Sequence, residues 1–215
     1  MSQFVHLHVH SQYSILDGQA SIQRLVDKAM ADGQPGIAIT DHGDMFGIKE
    51  FYNYVKKVKG KLKDKAAECE KRLAALGDGT EQVADTAAEI AACEKQLGEL
   101  RAKMNFKPII GCEVYVARRR LQDKEGKPDQ SGYHLILLAK NLKGYHNLIK
   151  IVSKAWTEGF YMRPRTDRSE LEKYHEGLIC CSACLAGEVP RAITDDDLEK
   201  AEESILWHKR VFGDD

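Results

Sequence analysis

The chain has 215 residues, 43% hydrophobic and 30% charged, which is enough to bury one sizeable core or a core with an appendage. A formal net charge of −1 excludes a global basic field for nucleic acid, so any polyanion contact would need a local patch or bound metal ions. No apolar run approaches the ~20 residues of a membrane span, the polar start MSQ lacks a signal-peptide layout, and the six cysteines are not spread like a secreted disulfide framework; a cytoplasmic protein with reduced thiols and no membrane partner is expected.

The first element is an expected strand, FVHLHVH. Successive side chains of a strand point to opposite faces, so Phe4, His6, His8 and His10 share one face while Val5, Leu7 and Val9 share the other, the packing face. Alternate residues stand roughly 6.5 to 7 Å apart, which lets two imidazoles reach one metal ion or two neighbouring ions. In SIQRLVDKAMADG, Ile22, Leu25, Val26, Ala29 and Met30 recur at helical spacing, and Gly33 ends the helix. Gly36 to Thr40 reads as a short buried strand ending on Asp41 and His42. KPIIGCEVYVA is a third strand carrying Glu113, HLILLAKN a fourth followed by the helix NLKGYHNLIKIVSKAW, and GLICCSACLAGEV a fifth. The last helix, DDDLEKAEESILWHKRVFG, opens with acidic residues that suit the positive end of its dipole. Apolar strands alternating with amphipathic helices indicate an α/β layered or barrel fold with a parallel sheet.

Between the second and third strands, residues 55–105 follow another pattern. Val55, Leu62, Cys69 and Leu76 are seven apart, with Ala66 and Leu73 between them in the seam; after GDGT, where Asp78 and Glu81 fit a capping box, Val83, Ile90, Leu97 and Met104 repeat the spacing with Cys93 and Leu100. The segment is expected to be an inserted antiparallel, coiled-coil-like helical hairpin with solvated charges. The lysines crowding its base, Lys56 to Lys65, leave open a contact with nucleic acid or a partner subunit.

His8, His10, Asp41, His42, Glu113 and Cys184 stand at or near strand ends, and Asp17 lies in the loop after the first strand. In parallel α/β folds those ends form one rim where distant residues converge, and imidazole, carboxylate and thiolate are ligands for Zn²⁺ or, thiolate apart, for Mn²⁺ or Fe²⁺.

The segments HLHVHSQYSILDG, AITDHGDMFG, IIGCEVYV, YHLILLAKNLKGYHNL, EGFYMRPRTDRSEL and GLICCSACLAGEVPRAI, in this order and spacing, closely resemble the PHP (polymerase and histidinol phosphatase) domain of the bacterial replicative DNA polymerase III α-subunit family. The resemblance covers nearly all of residues 1–215 except the hairpin. It implies a distorted (β/α)7 TIM-like barrel, the PHP fold, with divalent ions (Zn or Mn, and also Fe), up to three in a complete site. The implied ligands are His8, His10, Asp17, His42, Glu113, His134 and Cys184, with His8, His10, His42 and Glu113 as the catalytic set. His6 is left as a neighbour, and His134 rests on the resemblance alone because it begins its strand. The family closes its site with a late Asp-x-His motif that is missing here, so the sequence is expected to be an N-terminal part of a longer polymerase, its barrel C-terminally incomplete and the chain itself inactive.

Clustered divalent ions lower the pKa of water and stabilise the oxygens of a phosphoester. The resemblance thus implies a metal-dependent phosphoesterase, a 3′→5′ proofreading exonuclease in the intact protein, acting on the 3′ end of DNA beside other polymerase subunits, with Mg serving a polymerase core outside this chain. Two alternatives stay open: a metal-stabilised scaffold that braces the polymerase and docks a separate proofreading subunit, and a histidinol-phosphate-type phosphatase, which shares the His-x-His, Thr-Asp-His and Glu elements. Arg163 and Arg165, in YMRPRTD, are candidate DNA-phosphate contacts through bidentate guanidinium, or else solvent-exposed arginines or a clamp on a carboxylate. Lys140 and Lys143 are weaker candidates for a phosphate contact.

Overall fold

The computed structural model describes residues 4–77 and 84–213. They form a mixed α/β fold: α1 (Ile22–Ala31), β1 (Gly36–Ile39), α2 (Ile48–Gly77), α3 (Ala84–Met104), β2 (Lys107–Val116), α4 (Gly126–Asp129), β3 (Tyr133–Ala139), α5 (Leu142–Thr157), β4 (Arg165–Thr166), α6 (Arg168–Tyr174), β5 (Leu178–Cys181), α7 (Glu188–Thr194) and α8 (Leu198–Phe212). Among the described residues no helix is long and apolar enough to cross a membrane.

The chain divides into two compact units. One holds Ile22–Ile37 and Lys49–Pro108; the other holds His6–Ser21, Ala38–Ile48 and Ile109–Asp215. In the first, α2 and α3 close an apolar seam of Ala66, Cys69, Leu97 and Leu100, flanked by Leu62, Leu73 and Met104, as the heptads require. The ion pairs Arg72–Glu89 and Arg101–Glu70 join α2 to α3, and Tyr54 on α2 donates to Asp27 on α1 at 2.9 Å. The first arm begins at Ile48, ahead of the expected boundary at residue 55. The capping box at Asp78 and Glu81 lies outside the described residues.

The second unit carries the site. The sheet runs β1-β2-β3-β5, with β4 paired to β2. The expected parallel sheet closed into a (β/α)7 barrel needs correction. The sheet is open, and β2 pairs antiparallel with β3, as β3 does with β5; only β4 lies parallel to β2 among these pairs. A parallel pair needs a crossover element covering the sheet, and between β2 and β3 the chain forms only the four-residue α4.

Alternation along β2 and β3 assigns the two faces. Cys112, Val114 and Val116 on β2 and Tyr133, Leu135 and Leu137 on β3 point into the main core with Leu148 and Ile151 of α5, Leu171 of α6 and Trp207 and Phe212 of α8. On the opposite face the register brings Gly111 beside Leu138, Glu113 beside Ile136 and Tyr115 beside His134. Asn141, Asp167 and Asp197 cap α5, α6 and α8 by accepting from the backbone N–H three residues on, at 2.9, 3.0 and 3.1 Å.

Two further expectations change. In the segment 6–10 the His6 and Val9 carbonyls accept from Ala38 and Thr40 N–H at 2.9 Å, but it forms no strand beyond a bridge at His6, and its apolar face is only partly packed: Val5 and Val9 are half-buried and Leu7 is 45% exposed. The fifth strand stops at Cys181, because residues 182–187 turn away and α7 follows at Glu188.

Candidate metal centre

Glu113 is the hub. It sits mid-strand on β2 and is only 1% exposed, with backbone bonds on both sides to the segment after β1: its N–H donates to the Asp41 carbonyl at 3.1 Å and its carbonyl accepts from Gly43 N–H at 2.8 Å. These bonds place His42 directly beside it. Gly43 has φ +65°, and a Cβ there would come within 2.6 Å of Pro164 Cγ, so the turn after His42 suits glycine alone. The Gly43 carbonyl also accepts from Trp156 Nε1 at 2.8 Å.

Three imidazoles converge on this carboxylate. His134 Nδ1 is 2.9 Å from Oε1, His8 Nε2 is 3.5 Å from Oε1, and His42 Nδ1 forms an ion pair with Oε2. The last pair lacks hydrogen-bond alignment, so His42 Nδ1 and Glu113 Oε2, both buried, have electrostatic contact without a hydrogen-bond partner. His10 stacks on His42 at 4.0 Å between ring centroids and meets His8 at 4.7 Å. Asp17 Oδ2 lies 3.0 Å from His42 Nε2, and Cys184 Sγ lies 3.7 Å from His134 Nδ1.

The hydroxyls behind the imidazoles fix their tautomers. Ser14 Oγ donates its proton to Asp41 at 2.8 Å, so toward His10 Nδ1, 2.9 Å away, it acts as acceptor; the Nδ1–H tautomer follows and leaves the His10 Nε2 lone pair free. Thr40 Oγ1 donates to the Val9 carbonyl at 3.3 Å and accepts from His8 Nδ1 at 2.8 Å, with the same result for His8. Asp41, buried, also accepts from Ser11 N–H at 2.6 Å and Ser11 Oγ at 2.7 Å. Asp41 is therefore the anchor of the imidazole supports. Such partners orient ligands and raise their basicity.

The electrostatics suit a cation. Burial alone would raise the Glu113 pKa, but the hydrogen bond from His134 and the close ion pair with His42 outweigh it and hold the carboxyl well below the usual range. Glu113, aided by Asp17, pushes His42 up to about 9 against its burial. Burial lowers His8 and His10, and the hydrogen bond from His42 lowers Asp17. The His42 imidazolium is thus the positive charge between Glu113 and Asp17.

The donor atoms form three groups, each with its atoms within 4.8 Å of one another: His8, His10 and Glu113; His10, Asp17 and His42; Glu113, His134 and Cys184. All seven residues named from the sequence come together here. Together with the buried Nδ1 of His42 and Oε2 of Glu113, which face each other with no hydrogen-bond partner, this N, O and S donor set fits divalent ions of the Zn²⁺, Mn²⁺ and Fe²⁺ class. His134 arrives from the start of its strand because β3 runs antiparallel to β2, which brings its first turn of side chains to the same end as Tyr115. Sequence reasoning missed Ser11, Ser14 and Thr40; the only signal was their position next to the histidines and Asp41.

The two arginines separate. Arg163 donates to Tyr115 Oη at 3.0 Å and stacks over that ring at 5.2 Å, at the side of the centre. Arg165 is corrected as a phosphate contact. It is fully buried, and its guanidinium donates to the carbonyls of Gly159, Leu121 and Asp123 at 3.0 to 3.1 Å, away from any phosphate in solvent. Lys143 pairs with Glu176 at 3.3 Å, and both Lys140 and Lys143 follow the end of β3 opposite His134.

The PHP domain family matches residues 6–215. The chain is 41% identical to DNA polymerase III subunit alpha of Borreliella burgdorferi, 39% to that of Treponema pallidum and 37% to that of Thermus aquaticus, over 99 to 100% of its own length. It spans only 14 to 15% of those relatives. On this match and identity, the chain belongs to the PHP domain family.

Proposed function

We propose that the seven residues form a polynuclear divalent-ion centre that hydrolyses phosphoesters, and that the domain serves DNA replication within a polymerase of its relatives' length, beside other polymerase subunits, as the 3′→5′ proofreading exonuclease. The observation that carries this reading is the place of the two-oxygen Glu113 carboxylate in two of the three donor groups, with His10 in one of them and in the remaining group, since neighbouring ions need common or adjacent ligands. When bound, such ions supply Lewis acidity, lowering the pKa of water and offsetting charge on the attacking and leaving oxygens. Ser14 and Thr40 hold His10 and His8 with Nε2 lone pairs directed away from their supports. Glu113 supplies buried negative charge to two groups, and His42 gives up its proton as a cation takes its place. Asp17 and Cys184, both exposed, are the donors open to solvent and so to a phosphoester. The thiolate favours Zn²⁺ in the third group, while the N and O donors of the other two accept Mn²⁺ or Fe²⁺ equally well.

The test measures nucleotide release from a 3′ single-stranded end by the polymerase-length protein carrying this domain, with Mn²⁺ or Zn²⁺ supplied. Release that His10→Ala abolishes while nucleotide incorporation persists supports the reading. Metal bound at full content with no release contradicts it and turns the centre into a metal-stabilised brace.

A further inference from the structure

Beside the centre lies an open cleft of about 810 Å³, within the roughly 300 to 1,000 Å³ of small-molecule sites. His42 belongs to one wall. The same lining holds a run of partly exposed aromatic rings: Trp156 and Phe160 stack at 5.6 Å and 21° between planes, and Phe46 tilts against Trp156 at 6.0 Å. These rings are 41%, 44% and 65% exposed. Exposed apolar residues are ordinarily scattered singly, so three rings joined through Trp156 mark a binding surface. Trp156 is also fixed in place, because its Nε1 donates to the Gly43 carbonyl, one residue beyond His42. The cations of the cleft are Arg163, stacked on Tyr115 with Tyr115 in turn parallel to His42 at 6.3 Å, and Lys127.

We propose that this aromatic shelf is a nucleobase subsite: Trp156, with Phe160 and Phe46, stacks the bases of a single-stranded nucleic acid whose phosphodiester backbone runs past Arg163 toward the metal centre. The inference rests on the phosphoesterase reading and adds to it the residues that hold the bases of its substrate. A flat ring face beside a guanidinium and a cation-binding cluster matches a ligand that alternates planar bases with phosphates, and no purely apolar partner would use Arg163 or the centre. Stacking needs an unpaired base, so the shelf selects single strands over duplex. Every base has a π face, so it tolerates sequence. The small-molecule phosphatase alternative has no use for three rings in a row.

The experiment uses the chain in chelator, so that its outcome is independent of whether metal binds or any bond is cleaved. Fluorescein-labelled oligothymidylate, an abasic phosphodiester of equal length and a blunt duplex are titrated with the protein, reading anisotropy and Trp emission. Oligothymidylate is expected to quench Trp emission and bind at least about tenfold more tightly than the abasic chain or the duplex. Trp156→Ala is expected to weaken oligothymidylate about tenfold and leave the abasic chain unchanged, with Trp156→Phe restoring most of the affinity. Phe160→Ala, which removes a solvent-facing ring with no hydrogen bond, gives the same pattern without disturbing the Gly43 contact. Equal affinity for oligothymidylate and the abasic chain overturns the proposal, as does a folded Phe160→Ala and Trp156→Phe pair that binds both ligands like wild type; a shelf that beds against another protein segment gives that first result. Failure of the phosphoesterase reading shows separately, as base-dependent binding in chelator with no nucleotide release when metal is restored.

Discussion

His134 Nδ1 lies 2.9 Å from Glu113 Oε1 across two antiparallel strands, a diagonal pair in a register that sets Glu113 opposite Ile136 and Tyr115 opposite His134. This relationship joins the two ends of the site. Glu113 belongs at once to the group with His8 and His10 and to the group with His134 and Cys184. Glu113→Gln keeps the shape and removes the charge from both groups. The variant is expected to lose at least one equivalent of bound Zn²⁺ or Mn²⁺ by elemental analysis after dialysis, and in the metal-free state to lose about 1.5 to 3 kcal/mol in urea unfolding, the usual value of hydrogen bonds to a charged group. Unchanged metal content would show that Glu113 is a packing residue.

The pH dependence of the metal-free chain follows from His42. Its folded pKa, about 9, exceeds the unfolded value of 6.5, so the stabilisation it brings is fully present below about pH 6.5 and is lost as pH rises through 9. Urea unfolding in chelator between pH 6 and 10 should show stability falling across that window, and His42→Gln should flatten the fall. Glu113 and Asp17 have depressed values, so their contributions are present at neutral pH and disappear only in acid. Because a cation displaces the His42 proton, metal binding near pH 7 should release protons, seen as a buffer-dependent enthalpy in titration calorimetry.

Ser14 serves as acceptor for His10 and for the His42 N–H while donating to Asp41. Ser14→Ala is expected to weaken metal binding about 10- to 100-fold without unfolding the domain, measured by competition with a chromophoric chelator. It also leaves Asp41 short of one donor, at a cost of about 1 to 3 kcal/mol. A variant with wild-type affinity would remove the orienting role.

Leu97 fills the seam between α2 and α3 at 7% exposure. Leu97→Ala should cost about 2 to 5 kcal/mol within that unit, visible as faster amide exchange in α2 and α3. Metal content should stay at the wild-type level, because every donor atom lies in the other unit. Lost metal would show that the hairpin supports the centre.

Much of the centre was legible because it is written in short local patterns. His8 and His10 follow the two-residue period of an extended chain, His42 follows a buried apolar run, and Glu113 interrupts one, an ionisable residue among Ile109, Ile110, Val114 and Val116 that needs a partner. The heptads told the hairpin for the same reason. Strand direction was not legible: alternating strands and helices suggested a parallel sheet, on which His134 at the start of β3 has no reason to reach the rim, whereas the antiparallel pairing brings it there. The hydroxyl supports were hidden as well, since Ser14 and Thr40 become meaningful only once the chain brings Asp41 and the imidazoles next to them. Arg165 misled because nothing in the words around it, YMRPRTD, tells a surface guanidinium from one that collects three buried carbonyls.

The most direct measurement is electron paramagnetic resonance of the metal-free chain titrated with Mn²⁺. Ions held in the two groups that share the Glu113 carboxylate lie close enough to couple, so the wild type should give an exchange-coupled spectrum as the second ion binds, and Glu113→Gln should give at most the six-line signal of isolated ions. A wild-type chain that binds a single uncoupled Mn²⁺, or none, would contradict the polynuclear centre.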